Sequence, residues 1–252
     1  MRLPFALDPG PMELARQLLS PEPDKTQEPL MIATTNTLGE IAANNPAATR
    51  VFLRHKLDFC CGGQRSLADA CDAADLDAAA IANEIAEESA RADDPERWQS
   101  RPLDDLADHV EQHYHAALRR DVPPLIDAAR RVERVHAKKP AVPAGLAEHL
   151  VEFWTEMQAH MHKEEMMLFP MIRRGTRGQG VYMPIRVMQQ EHDQHAQTLR
   201  RTRELTGDLE IPEHACATWT ALYQGLARLE EELMQHIHLE NNVLFLRAAR
   251  AG

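Results

Sequence analysis

The sequence predicts an all-α fold, in which a small helical module at residues 35–90 precedes a bundle of four main helices at residues 102–252. Three observations support this prediction. No segment alternates apolar and polar residues over a useful strand length, apolar residues recur every three or four positions after residue 102, and glycines and prolines interrupt that pattern. Long amphipathic helices joined by short loops pack as antiparallel neighbours, which is the arrangement of a bundle.

Prolines and glycines mark where the helices of the bundle are expected to begin and end. They are expected at about 103–119, 122–138, 145–174, 181–206 and 215–249. Prolines 123 and 124 separate the first two segments, and the second could either continue the first helix past a kink or stand alone.

The N-terminal module shows several local helix signals. Thr37 and Glu40 have capping-box spacing, Pro46 suits the first turn of a second helix, and Ser66 can cap a third. An alanine-rich stretch at about 77–90 predicts a fourth. Residues 1–34 are rich in proline and charge and are expected to form an extension with little fixed structure, in which Met31 could be the physiological start. Residues 91–101 suit a linker.

The composition excludes some classes of function. Thirty-nine acidic residues against 28 basic ones give a net charge of -11, and no basic face is evident, so a general nucleic-acid binder is not expected. No run of eighteen apolar residues occurs, and the N-terminus lacks the features of a signal peptide, so a cytoplasmic protein without membrane partners is expected. Four cysteines in that compartment are more typical of free, redox-active or metal-binding thiols than of disulfides.

Two helices carry the same polar interruption of an apolar stripe. His160 and Glu164 lie four residues apart on one stripe, and His236 and Glu240 repeat the motif on the last helix. Spacing of four puts both side chains on one helical face, where they can ligate one metal ion or bridge two.

Histidines interrupt further stripes. His192 falls on the stripe of the fourth segment and His136 ends that of the second. In the first segment His113 and His115 flank the stripe, and periodicity mildly favours His113. The remaining histidines after residue 108 are expected to be solvated or to lie behind a site, namely His109, His149, His162, His195, His214 and His238.

The physical reason for inferring a metal is the free energy of burial. An unpaired buried polar group costs roughly 1–3 kcal/mol and a buried carboxylate far more, and these stripes contain no Lys or Arg to pair with it. A single such histidine is more often a hydrogen-bonded core residue, but two His-x-x-x-Glu motifs weaken that alternative. Imidazole and carboxylate together suit iron, manganese or zinc.

The adjacent cysteines Cys60 and Cys61 precede Gly62 and Gly63 at the end of a helix. A disulfide between neighbouring residues is strained, and the glycines release the backbone, so the pair is expected to bind a soft metal or exchange with other thiols, although two small buried hydrophobes remain the alternative. Cys71 and Cys216 are expected in the core.

These motifs together resemble the bacterial iron–sulfur cluster repair di-iron proteins, which join a Cys-Cys-Gly-Gly module to a hemerythrin-like domain. The resemblance covers about residues 36–249 and rests on residues 37–41, 58–63, 132–136, 160–164, 191–193 and 236–245. The extra N-terminal segment, and Leu246 where the family commonly has proline, depart from the family pattern.

The resemblance implies a non-haem centre of two iron ions. By residue match its ligands would be His115, His136, His160, Glu164, His192, His236 and Glu240. The family's Tyr-His pair thus favours His115 over His113, and Glu156 and Glu191 match acidic residues that could line a route to the metals.

The resemblance also implies a function. It is repair of iron–sulfur enzymes damaged by nitric oxide or oxidative stress, through iron donation or nitric oxide chemistry, with Cys60 and Cys61 taking part and nitric oxide or oxygen as small ligand. A homodimer is expected. The alternatives are a hemerythrin-type oxygen, redox or nitric oxide sensor, an enzyme that reduces nitric oxide, and a zinc structural protein.

Overall fold

The structure, a computed structural model, describes residues 32–91 and 98–250. These residues form helices joined by loops, with one isolated bridge between Thr37 and Ser66, and the all-α prediction is confirmed. Most of the predicted extension at 1–34, including Met31, and most of the predicted linker at 91–101 lie outside the described residues.

The N-terminal module contains four helices. They are α1 (Leu38–Asn44), α2 (Pro46–Arg54), α3 (Leu67–Ala73) and α4 (Ala78–Arg91). The capping box of Thr37 and Glu40 forms at the start of α1, Pro46 lies in the first turn of α2, and the Ser66 hydroxyl accepts a hydrogen bond from the Asp69 amide at the start of α3.

Between residues 98 and 250, which the structure describes, the bundle contains four long helices, three of which include a π-helical turn. They are α5 (Leu103–His109, Val110–His115, Ala116–Val135), α6 (Leu146–Lys163, Glu164–Leu168, Phe169–Arg173), α7 (Gln179–Thr206) and α8 (Ala217–Leu239, Glu240–Leu244, Phe245–Ala249). The segments predicted at 103–119 and 122–138 form one helix, with Pro123 and Pro124 inside it.

The π-helical turns fall at the polar motifs. The turn in α5 ends at His115, the one in α6 begins at Glu164, and the one in α8 begins at Glu240. A π turn is wider than an α turn and shifts the register of the residues that follow, and such turns are frequent at functional sites. This shift makes His115 fully buried while His113 is exposed, so the preference that regular periodicity gave to His113 is wrong.

The apolar core of the bundle is divided into two clusters. One contains Trp219, Tyr223 and Leu150, and the other contains Phe169 and Phe245. On α5, α6 and α8 the change from one cluster to the other occurs beside the histidines and glutamates. The polar residues therefore form a layer between two apolar layers, which exclude water from it.

The module packs directly on the bundle. The Gln235 side chain donates a hydrogen bond to the Thr49 hydroxyl at 2.7 Å, and Met234 packs against the apolar cluster of the module. Cys60 in turn belongs to the bundle cluster of Trp219. Among the described residues, no helix is both long enough and apolar enough to cross a membrane.

Candidate metal centre and dithiol loop

The structure brings six of the seven proposed ligands into one layer of the bundle. They form two overlapping groups of four, His115, Glu164, His236 and Glu240, and His160, Glu164, His192 and Glu240. All four bundle helices contribute. Because both glutamates belong to both groups, the arrangement offers two neighbouring positions for metal ions with two carboxylates shared between them.

The distances within the layer are those of donors that converge. Oε2 of Glu164 lies 3.4 Å from Nε2 of His115 and 3.3 Å from Nε2 of His160. Glu240 contacts the other two histidines, with Oε1 3.0 Å from Nε2 of His236 and Oε2 3.1 Å from Nε2 of His192. Each glutamate thus lies between one histidine of each group, as a bridging carboxylate requires.

The burial of these groups shows that the residues fit bound cations. None of the six is more than 1% exposed. Within the described part of the chain, both carboxylate oxygens of Glu164, Oε2 of Glu240 and Nε2 of His115 have no hydrogen-bonding partner. Leaving buried carboxylate oxygens unpaired is strongly unfavourable, and two metal ions would satisfy all of these atoms.

The electrostatics of the layer lead to the same conclusion. Burial raises the pKa of Glu164 to about 8. Burial opposes the charged form of His192, but its contact with Glu240 outweighs burial and raises the pKa of His192 to about 9. Burial opposes the carboxylate of Glu240 as well, but His236 and His192 hold the pKa of Glu240 well below its usual range. Because the pKa values of Glu164 and His192 are raised, cations that bind here would compete with protons for these groups.

A second set of polar groups orients three of the imidazoles. Nδ1 of His115 donates to Glu165 at 2.7 Å, Nδ1 of His160 donates to Glu191 at 2.9 Å, and Nδ1 of His192 donates to the amide oxygen of Asn241 at 2.9 Å. These bonds fix the tautomer that leaves Nε2 free to face the layer.

Two of these supporting residues were not anticipated from the sequence. Glu165 and Asn241 each directly follow a proposed bridging glutamate, and the π turns bring them behind an imidazole on another helix. Glu191 was expected to line a route to the metals, and it instead contacts His160 and Lys163. The His160 hydrogen bond lowers the pKa of Glu191 to about 2. Glu156 is exposed.

His136 is not in this layer. It caps the C-terminal end of α5, where its ring packs on Trp219 and its Nε2 lies 3.2 Å from Sγ of Cys216. A helix rises 1.5 Å per residue, so the 21 positions between His115 and His136 separate them by about 30 Å. The ligand set implied by the resemblance is therefore corrected to six residues.

Two other histidines lie behind the layer. His195 is buried beside His160, with ring centroids 5.0 Å apart, and burial lowers the pKa of His195 to about 3. His238 is buried against Phe59, and burial lowers the pKa of His238 to about 4. His109 and His113 stack on each other at 5.1 Å.

The adjacent cysteines lie in the loop between α2 and α3. Cys60 is buried, Cys61 is half-buried, and their sulfur atoms are 3.8 Å apart without a disulfide. The contact with Cys61, together with burial, raises the pKa of Cys60 well above its usual range. Cys71 is buried as expected, whereas Cys216 is exposed, so the prediction of a core position for Cys216 is wrong.

Hydrogen bonds join this dithiol loop to the polar layer. Sγ of Cys61 donates to the backbone carbonyl of His192 at 3.4 Å. The Asn241 amide group, whose oxygen accepts from His192, donates to the Cys60 carbonyl at 3.3 Å, and Asn242 donates to the Phe59 carbonyl at 3.1 Å. The dithiol loop and one imidazole of the layer thus share Asn241 as a common partner.

Glycines allow the loop to approach α8 so closely. A Cβ added at Gly63 would lie 2.7 Å from the Phe59 carbonyl and 2.8 Å from Oδ1 of Asn242, and one added at Gly39 would lie 2.5 Å from the same oxygen. Any larger residue would push the loop away from Asn242.

Comparison with known proteins agrees with this architecture. A family described as "Hemerythrin HHE cation binding domain" matches residues 106–248, and one described as "Domain of Unknown function (DUF542)" matches residues 34–89. The iron-sulfur cluster repair protein YtfE of Yersinia pseudotuberculosis is 44% identical over 214 residues, which are 85% of this chain and 96% of the relative. This chain belongs to the YtfE family of iron–sulfur cluster repair proteins.

YtfE of Escherichia coli O157:H7 is also similar, at 43% identity over 211 residues, which are 84% of this chain and 95% of the relative. The resemblance inferred from the sequence is therefore confirmed. The match to the hemerythrin family and the buried layer of histidines and glutamates suit a non-haem di-iron centre.

Proposed function

We propose that this protein repairs iron–sulfur clusters that nitric oxide or oxidants have damaged, with damaged iron–sulfur enzymes as its clients. The observation that carries this proposal is the layer of four histidines and two glutamates, buried and partly without hydrogen-bonding partners, in a chain similar to proteins named for cluster repair. A buried site with shared carboxylates suits an iron store better than a structural zinc site, which takes one ion and four ligands.

The proposed ligands divide into three pairs. Glu164 and Glu240 would be shared by the two ions, His115 and His236 would hold one of them, and His160 and His192 would hold the other. The bound irons would supply redox chemistry and coordination positions for nitric oxide or oxygen.

The supporting residues keep three imidazoles in place by accepting hydrogen bonds from them. Glu165, Glu191 and Asn241 hold the Nδ1 protons of His115, His160 and His192. Bound irons would be ligated flexibly by the two carboxylates, while the supporting residues keep the three imidazoles fixed.

The cysteines are proposed to receive iron as cargo. Cys61 contacts the backbone of His192, and Cys60 lines a cavity at the surface. The dithiol therefore lies between the polar layer and the exterior. Thiolates bind iron and exchange it with other thiolates, such as those that hold a client cluster.

We also propose that the protein acts as a homodimer in the cytoplasm, where thiols remain reduced.

The test is restoration of activity to a nitric-oxide-damaged iron–sulfur dehydratase by the iron-loaded protein. We expect wild type to restore activity with loss of iron from the protein. Glu164→Gln/Glu240→Gln should bind almost no iron in the bundle layer and restore no activity, whereas Glu156→Gln, an exposed change on the same helix, should match wild type.

Two results of this test would overturn the proposed repair function. Repair that is equally fast with the double glutamate variant would exclude the metal layer from the function. Catalytic formation of nitrous oxide over many turnovers, without iron transfer to the client, would instead make the protein a nitric oxide reductase.

A further inference from the structure

The dithiol loop contains a third group of metal-ligand atoms, apart from the bundle layer. Oδ1 of Asp58 lies 3.2 Å from Sγ of Cys60, Sγ of Cys61 lies 3.8 Å from Sγ of Cys60, and the ligand atoms of all three residues lie within 4.8 Å of one another. These donors come from four consecutive residues, so the local backbone alone brings them together.

The separation of the sulfur atoms matches that of a tetrahedral site. Two thiolates bound at about 2.3 Å to one tetrahedral ion lie about 3.8 Å apart, which is the distance between Cys60 and Cys61. A disulfide needs a separation of about 2.05 Å and, between adjacent residues, a strained ring. The observed arrangement thus favours shared binding of a cation over formation of a bond between the two sulfurs.

The loop holds these donors in place before any cation binds. Oδ1 of Asp58 accepts a hydrogen bond from the Cys61 amide at 2.9 Å, and Asn242 donates to the carbonyls of Phe59 and Cys60 at 3.1 and 3.4 Å. Gly63 permits this close contact. Because the ligands are already positioned, binding requires little ordering of the chain.

An opening leads to the site. Asp58 and Cys60 line a cavity of about 230 Å³ between the module and the bundle, together with Lys56, Arg200 and Met234. Three protein ligands with access from a cavity leave a fourth tetrahedral position for water or for a ligand of a partner protein, as in exchangeable rather than structural metal sites.

We propose that Asp58, Cys60 and Cys61 form a separate mononuclear site for one thiophilic divalent cation. The identification of that cation as iron(II) rests on the proposed repair function, whereas the site itself does not. Binding forms two metal–sulfur bonds and one metal–oxygen bond, and the two S–H bonds break with release of both protons to water. No electron is transferred.

The test uses cobalt(II) as the probe, because tetrahedral cobalt with thiolate ligands has intense visible and near-ultraviolet absorption. The starting protein is the full chain with Glu164→Gln and Glu240→Gln, in which the bundle layer is disabled. We expect one cobalt ion per chain with thiolate-to-metal bands, and competition by iron(II) should remove those bands.

Two further variants in that background assign the ligands, and two more serve as controls. Cys60→Ser/Cys61→Ser should abolish the bands, and Asp58→Asn, which keeps the acceptor for the Cys61 amide, should weaken binding about tenfold or more. Cys216→Ser, which removes the exposed thiol beside His136, and Asp72→Asn, an exposed change in the same module, should leave binding unchanged.

Two outcomes would overturn this proposal. Absence of thiolate bands in folded protein would exclude the site, and an unchanged affinity in Asp58→Asn would exclude Asp58 as a ligand. Neither outcome affects the di-iron centre, whose iron content is measured in wild-type protein. Conversely, loss of iron binding by the bundle would leave the cobalt result unchanged.

Discussion

The bundle layer and the dithiol loop, the two regions of this protein with candidate metal ligands, are built in opposite ways. The bundle layer takes its six donors from four helices, is no more than 1% exposed, and has polar partners behind three of its imidazoles. The dithiol loop takes three donors from four consecutive residues, uses sulfur, and faces a cavity. A sealed site with many nitrogen and oxygen donors retains its ions, whereas an accessible site with few ligands exchanges them.

Under the proposed function, one chain would both hold iron and deliver it. The bundle layer would shield its ions from water, but a site sealed in that way would be poor at passing them to another protein. The dithiol loop would be open to a partner, but its three ligands would be too few to retain iron for long. Asn241 lies between the two, bonded to His192 on one side and to Cys60 on the other.

Removal of one imidazole from the layer should have the largest effect on iron retention. His115→Ala should lose most of the iron of the affected position, because His115 is fully buried and contacts both Glu164 and Glu165. His136→Ala should retain the iron of wild type, because His136 lies about 30 Å along the helix. Iron per chain after gel filtration distinguishes them, and equal losses in both variants would contradict the six-residue set.

Removal of a supporting carboxylate should have a smaller effect on iron affinity, because all six proposed ligands remain in place. Glu191→Gln replaces the carboxylate that orients His160 with a neutral amide, and we expect iron affinity to fall about 10–100-fold. Competition with a chelator measures this affinity. Glu156→Gln is the control, and an affinity within about twofold of wild type in Glu191→Gln would show that the orientation of His160 is set by packing alone.

Changes at Asn241 should separate the two sites from each other. Asn241→Asp keeps an acceptor for His192 and removes the donor to the Cys60 carbonyl, so iron should stay bound. In wild type, alkylation of Cys61 should alter the near-ultraviolet absorption of the bound iron, and in Asn241→Asp this change should diminish. Asn241→Leu, which removes both bonds, should lower iron affinity about tenfold. An identical response of wild type and Asn241→Asp to alkylation would exclude Asn241 as the link.

A histidine that belongs to neither site should give the smallest effect, on stability alone. Burial lowers the pKa of His149, whose Nε2 contacts the Thr198 carbonyl and the Thr202 hydroxyl. Its folded pKa lies below that of the unfolded chain, about 6.5, so its contribution is present above that pH and is lost as the pH falls below it. Chemical denaturation from pH 7 to 5 should show a flatter decline in His149→Gln, with iron content unchanged.

Much of the candidate metal site could be predicted from the amino-acid sequence. His-x-x-x-Glu twice on apolar stripes predicts paired donors in a core, because four-residue spacing puts both on one helical face. His192 is identified in the same way. Periodicity misplaced one ligand, since the π turn ending at His115 shifts the register that the pattern assumes. Both its stripe and the resemblance indicated His136, but the two predicted segments form one helix, which places His136 at the opposite end of that stretch of α5 from His115.

The order of residues along the chain thus predicts the all-α class, the bundle of four main helices and five of the six donors of the layer. Each of these predictions depends only on the spacing of residues within one helix. Contacts between distant segments follow from packing alone. Glu165 behind His115, Asn241 between His192 and Cys60, and the exposed position of Cys216 each depend on how helices and loops meet. The pattern along a helix records which face is buried, but not which atom of another helix lies opposite.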